Sequence, residues 1–127
     1  MQLVLDGQLF EAFDVEASST TRSFVPTLRP INAEGKFDSS VFREFCLGDR
    51  VKMYTLLMDG VPVNQFLVLG QKPVPYQKGA TLTITDEFFG EDYLINWQIH
   101  HGLAIAEAPI LSNVTGEDLQ NNGFIKK

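Results

Sequence analysis

Two Asp-Gly dipeptides, each set between apolar runs, constrain this chain more than any other feature. The first sits in Leu3-Val4-Leu5-Asp6-Gly7-Gln8-Leu9-Phe10, the second in Leu56-Leu57-Met58-Asp59-Gly60-Val61. A two-residue hairpin turn that matches the twist of its strands needs positive φ at both central positions, and Asp-Gly meets that need at low cost. The spacing predicts one hairpin from residues 2–5 and 8–15, and a second from strands near 50–58 and 61–69. Both pairs follow a Leu-x-[Leu/Met] run, which is too short a match to define a repeat.

Strict alternation marks further strands. Thr81-Leu82-Thr83-Ile84-Thr85 places Leu82 and Ile84 on one face. Tyr93, Ile95, Trp97 and Ile99 share a face opposite Asn96, Gln98 and His100. Residues 103–111 predict a strand up to Pro109, and Phe124-Ile125 a last edge strand. Pro26 and Pro30 argue against a central strand in 24–30 and for an edge or crossing loop. Pro73 and Pro75 give 71–79 a stiff, polyproline-like loop. A short helix is predicted near 38–46, with Asp38 as N-cap, Val41, Phe42 and Phe45 on one face, and Gly48 ending it; a strand through Val41–Cys46 is the competing reading. Thr115-Gly116-Glu117-Asp118 can cap one helical turn. The fold expected is mainly β: an antiparallel β-sandwich or small β-barrel of about seven to nine short strands, formed by residues 1–127 as one domain.

Composition agrees with that expectation. A chain of 127 residues with 44% hydrophobic residues can bury a core without disulfide or metal. Ten Phe, three Tyr and one Trp supply much of that core. Cys46 is the single cysteine, so no internal disulfide forms, and a free, buried thiol is expected. The formal charge of −6 disfavours phosphate-backbone contact, so nucleic acid is not an expected partner. The N-terminal sequence has no basic, signal-like region, and no run approaches the ~20 apolar residues of a membrane span. Cytoplasmic synthesis without a signal peptide, and no membrane contact, are the corresponding expectations.

No constellation of catalytic or ligating residues stands out. His100 and His101 are adjacent, so in a strand they face opposite sides and do not share one metal ion. Neither they nor Cys46 has an evident activating partner in sequence. The stretch Asp86-Glu87-Phe88-Phe89-Gly90-Glu91-Asp92 groups four carboxylates but lacks the alternating ligand spacing of a calcium loop. It is expected to be a solvated acidic turn with Phe88 or Phe89 folded inward. Asn113-Val114-Thr115 fits a glycosylation sequon, yet capping explains Thr115 better. The expectation is therefore no enzyme, no cofactor and no metal.

Apolar residues in Pro-containing segments are the remaining signal. Phe24, Val25, Leu28, Val74 and Tyr76, with Phe124 and Ile125 near the C-terminal end, are the expected interface residues, because aromatics exposed on β-loops often belong to interfaces. Folding back over the ends of a barrel is the competing reading. The polar segment 116–127 is expected to be held by another subunit or as a last strand. The run Lys78-Gly79-Ala80-Thr81-Leu82-Thr83-Ile84 resembles a Gly-x-x-Leu-x-Ile strand entry of phage head–tail joining proteins, in seven residues that many β proteins share. The functional expectation is a structural protein that assembles with copies of itself or with other particle subunits. Its concrete form is a bacteriophage virion component, either a capsid decoration protein or a small head–tail or tail protein, located in the virion. The alternative is a small-molecule or carbohydrate-binding β-barrel, with Trp97, Tyr93 and His100 lining its mouth.

Overall fold

A computed structural model describes residues 1–14, 22–64 and 73–124. Residue 15 of the first predicted hairpin, residues 65–69 of the second, Lys72 and Ile125 lie outside these residues.

The chain is mainly β, and its described residues build three sheets. Strands β1 (Gln2–Leu5) and β2 (Gln8–Phe13) form the first hairpin, with Asp6 at φ 51° and Gly7 at φ 77°. β3 (Arg22–Phe24) is followed by β4 (Thr27–Pro30), then by β5 (Arg50–Met53) and β6 (Thr55–Met58). The second hairpin joins β6 to β7 (Val61–Pro62), with Asp59 at φ 53° and Gly60 at φ 79°. β8 (Val74–Pro75), β9 (Leu82–Thr85), β10 (Ile95–His100), β11 (Leu103–Ala106) and β12 (Leu111–Val114) complete the strands among the described residues. The short helix α1 (Gly116–Asn121) follows. A third tight turn joins β10 to β11, where His101 at φ 51° and Gly102 at φ 81° repeat the same geometry.

The largest sheet runs β1-β2-β4-β11-β10-β5, antiparallel throughout. β3-β12-β8 and β7-β6-β9 form two smaller sheets, and β12 pairs with β8 in parallel. Burial alternates along β2, β10 and β11 as period-two geometry requires. Its inner face carries Leu5, Phe10, Ala12, Leu28, Ile95, Trp97, Ile99, Ala104 and Ala106. Small residues face large ones across the strands: Ala106 stands beside Trp97, and Ala12 and Ala104 flank Leu28. Phe24, Leu56, Leu82, Ile84, Leu111 and Val114 from the smaller sheets join the same core cluster.

Four local expectations are corrected. No helix forms over 38–46; the segment is a run of turns, with Arg43 N–H donating to the Ser40 carbonyl at 3.3 Å and Phe45 N–H to that of Phe42 at 3.0 Å. Two serines and a β-branched valine favour a helix weakly, and fewer than three turns do not sustain one alone. Asp38 does cap the first turn, accepting the Ser40 N–H at 3.0 Å. The α-helix among the described residues is α1, whose start is a capping box of Thr115 and Asp118. Second, the predicted strand 50–58 breaks at Tyr54, whose φ of 67° turns β5 into the large sheet and β6 into a small one. Third, β4 is a central strand despite Pro30. β11 pairs only with Thr27 and Leu28, so the ladder on that side ends before the missing N–H would matter. Fourth, Cys46 is exposed rather than buried.

Candidate functional site

The predicted interface residues fall mostly inside the protein. Phe24, Leu28 and Phe124 are 0% exposed and Tyr76 is 8% exposed, while Val25 and Val74 are half-buried. Phe24 and Phe124 pack ring to ring, 4.9 Å between centroids. The Tyr76 hydroxyl donates to the Ala80 carbonyl at 2.6 Å. The prolines explain the placement: they interrupt the chain between short strands without preventing pairing, and strand pairing turns these side chains inward. Phe24, Leu28, Tyr76 and Phe124 belong to the buried core, and Val25 and Val74 pack against it. Ile125 lies outside the described residues.

The sugar-mouth arrangement does not assemble either. Trp97 is fully buried on the inner face of β10, whereas His100 projects from the outer face, with its Nε2 3.0 Å from Gln98 Oε1. His101 stands in the turn, exposed. Among the described residues no group of three or more His, Cys, Asp or Glu side chains is placed to hold a metal ion. No described helix is long and apolar enough to cross a membrane.

The carboxylates of 86–92 have structural tasks in part. Asp86 Oδ2 accepts the Asp6 N–H at 2.8 Å and so ties this loop to the β1–β2 turn. Tyr54 lies between them; burial, then the charge and hydrogen bond of Asp6, then the charge of Asp86 push its phenol up to about 12. It therefore stays a neutral donor at any physiological pH. Glu91, Asp92 and Tyr93 form a single 3-10 turn. Phe89 is half-buried, but Phe88 stands 67% exposed among the acids.

A polar recess of about 240 Å³ lies between Tyr76, Gly79, Ala80, Thr81 and the end of α1. Its polar groups bond to one another. Asn122 Nδ2 donates to the Asp118 carbonyl at 2.9 Å, and Leu82 N–H donates to Asn122 Oδ1 at 2.8 Å. Lys78 Nζ lies 2.9 Å from Asp118 Oδ1. Burial would raise the Asp118 carboxyl, but the Lys78 hydrogen bond, the Thr115 N–H and hydroxyl, and the Lys78 charge together hold it below its ordinary value. A lowered folded value stabilises above the unfolded carboxylate range and is lost as pH falls through the folded one. Asp118→Asn is expected to cost about 1–2 kcal/mol at neutral pH. The difference from wild type should shrink below about pH 4, as read by urea titrations across pH; a pH-independent gap would refute the charge contribution.

Two features of the large sheet face outward. The first is its edges, β1 and β5. Arg50 and Lys52 stud β5, the device by which natural sheets discourage edge pairing. β1 (Gln2-Leu3-Val4-Leu5) carries no charge. In a two-residue hairpin Leu5 and Gln8 exchange hydrogen bonds, and so do Leu3 with Phe10 and Met1 with Ala12. The N–H and C=O groups of Gln2 and Val4 consequently point away from β2, and Val4 is 66% exposed. The second feature is the outer face. Phe13, Arg29, Phe37, His101 and Leu103 line an open groove of about 350 Å³ there. Arg29 lies over the Phe37 ring, 5.5 Å from its centroid, and 3.9 Å from Glu11. The Phe37 ring tip packs against Gly102, where an added Cβ would come within 2.8 Å of it.

Nothing in the sequence joins Phe13, Phe37 and Leu103. No family model, curated protein or solved structure matches this chain.

Proposed function

We propose that this protein is a structural component that works through contacts between protein subunits. The particle we assign it to is a bacteriophage virion, where it serves as a capsid-decorating protein or a small head–tail or tail protein. The observation that carries the reading is β1: an uncharged edge strand with outward-facing backbone groups at Gln2 and Val4, whereas the opposite edge, β5, is guarded by charge. Such an edge is a template for β-augmentation by a neighbour. The half-exposed apolar groove supports the reading, because it adds side-chain contact area on the outer face of the same sheet.

Val4→Pro tests this. The ring removes an N–H that points to solvent and leaves the hairpin bonds of Leu3 and Leu5 in place. Association measured by sedimentation equilibrium is expected to weaken about tenfold, on the order of 1.4 kcal/mol for lost edge bonds. Circular dichroism should remain that of the wild type. Val4→Lys, which guards the edge without touching the backbone, should act in the same direction. Unchanged association in both folded variants would rule out the edge, and a wild type that stays monomeric at high concentration would rule out the assembly role.

A further inference from the structure

Phe88 is the most exposed aromatic of the chain among the described residues, at 67%, and it sits between carboxylates: Asp86 and Glu87 before it, Glu91 and Asp92 after. The groove on the large sheet has the opposite character. Its floor is Phe13, Phe37 and Leu103, and its polar rim is Arg29 and His101. No Lys or Arg occurs from residue 79 to residue 125, whereas Arg29, Arg50 and Lys52 project from the outer face of the large sheet, Arg29 3.9 Å from Glu11 and Arg50 2.7 Å from Glu107. An aromatic ring flanked by carboxylates thus finds its complement, an apolar cleft with a guanidinium at its edge, on the same molecule.

The two cannot meet within one chain. Asp86 fastens the acidic loop to the β1–β2 turn, while Phe13 lies at the far end of β2. That distance is roughly 17 Å along a strand rising ~3.4 Å per residue. We infer that Phe88 of one copy inserts into the Phe13–Phe37–Leu103 groove of a second copy, with Glu87 and Glu91 settling against Arg29 and His101. The contact is head-to-tail: each copy offers one tip and one groove. It rests on the assembly reading above but uses residues that the β1 edge does not.

The test uses the Val4→Pro chain, so that edge pairing does not contribute. Its weight-average mass in sedimentation velocity should rise with concentration and fall back when salt is raised from about 0.05 to 0.5 M, since screening weakens the ionic part. Adding Phe88→Ser, which removes the tip, or Leu103→Glu, which puts a carboxylate on the groove floor, should leave monomers in either case. Both side chains point away from the core, so unchanged thermal melting is expected. Mixing the two monomeric chains should yield a one-to-one complex that grows no further, because one intact tip and one intact groove remain. A mixture that stays monomeric, or a Phe88→Ser chain that associates as before, overturns the inference. Loss of all association on Val4→Pro alone also overturns it while leaving the edge contact standing; association unaffected by Val4→Pro but abolished by Phe88→Ser does the reverse.

Discussion

Replacing Phe24 with alanine is expected to destabilise the fold by about 3–5 kcal/mol, the range for removing a fully buried aromatic ring. Phe24 is 0% exposed, ends β3 and packs on Phe124 at 4.9 Å, so truncation opens a cavity between β3 and the segment that follows α1. Urea denaturation followed by far-ultraviolet circular dichroism measures the loss directly. Phe124→Ala should cost a similar amount, since it too is 0% exposed. The double variant should lose less than the sum, by about 0.5–1.5 kcal/mol, because the ring–ring contact is then removed only once. A cost for Phe24→Ala below about 1 kcal/mol, the level of an ordinary surface change, would show that the ring is not held as described. As the exposed interface residue expected from the sequence, Phe24 would instead cost no more than an ordinary surface change.

Trp97→Ala should be comparably damaging, about 3–5 kcal/mol, and for two separable reasons. The indole fills the inner face of β10 between Val51 of β5 and Ala106 of β11, and its Nε1–H donates to the Met53 carbonyl at 2.8 Å. Trp97→Phe keeps most of the apolar volume but strands that carbonyl, a loss of about 1–3 kcal/mol. The two variants therefore apportion the effect between packing and the hydrogen bond. Trp97 is the only tryptophan, so its own emission reports burial in the wild type, blue-shifted when folded and red-shifted on unfolding. Equal costs for alanine and phenylalanine would assign the stabilisation to the hydrogen bond alone.

Local signals were legible in the sequence wherever one or two residues dictate the backbone. Asp6-Gly7 and Asp59-Gly60 adopt the positive φ values that their hairpins require, and alternation in Tyr93–Ile99 gave the inward face of β10 correctly from Ile95 onward. Thr115 and Asp118 form the predicted capping box. What was hidden depends on sheet order. Tyr54 has no glycine-like signal, yet it takes φ 67° because β5 and β6 are claimed by different sheets. Pro30 read alone forbids a central strand; only the short overlap of β11 with β4 makes it tolerable. Phe24, Leu28 and Tyr76 read as loop aromatics and aliphatics open to solvent, because a pattern one strand long does not say which way its neighbours lie. The groove was invisible for the same reason: Phe13, Phe37 and Leu103 are up to ninety residues apart and meet only through the pairing of β2, β4 and β11.

The asymmetry between a charged β5 and an uncharged β1 has a consequence for symmetry. A sheet with one usable edge can be extended only once. If the neighbour is an identical chain, β1 lies antiparallel to β1 about a two-fold axis, and the seam consumes the free edge of both partners. The merged sheet then ends in Arg50 and Lys52 on either side, and no third chain can add to it. Every homo-assembly that uses this seam at each chain therefore contains an even number of subunits, a parity that native mass spectrometry reads without any mutation.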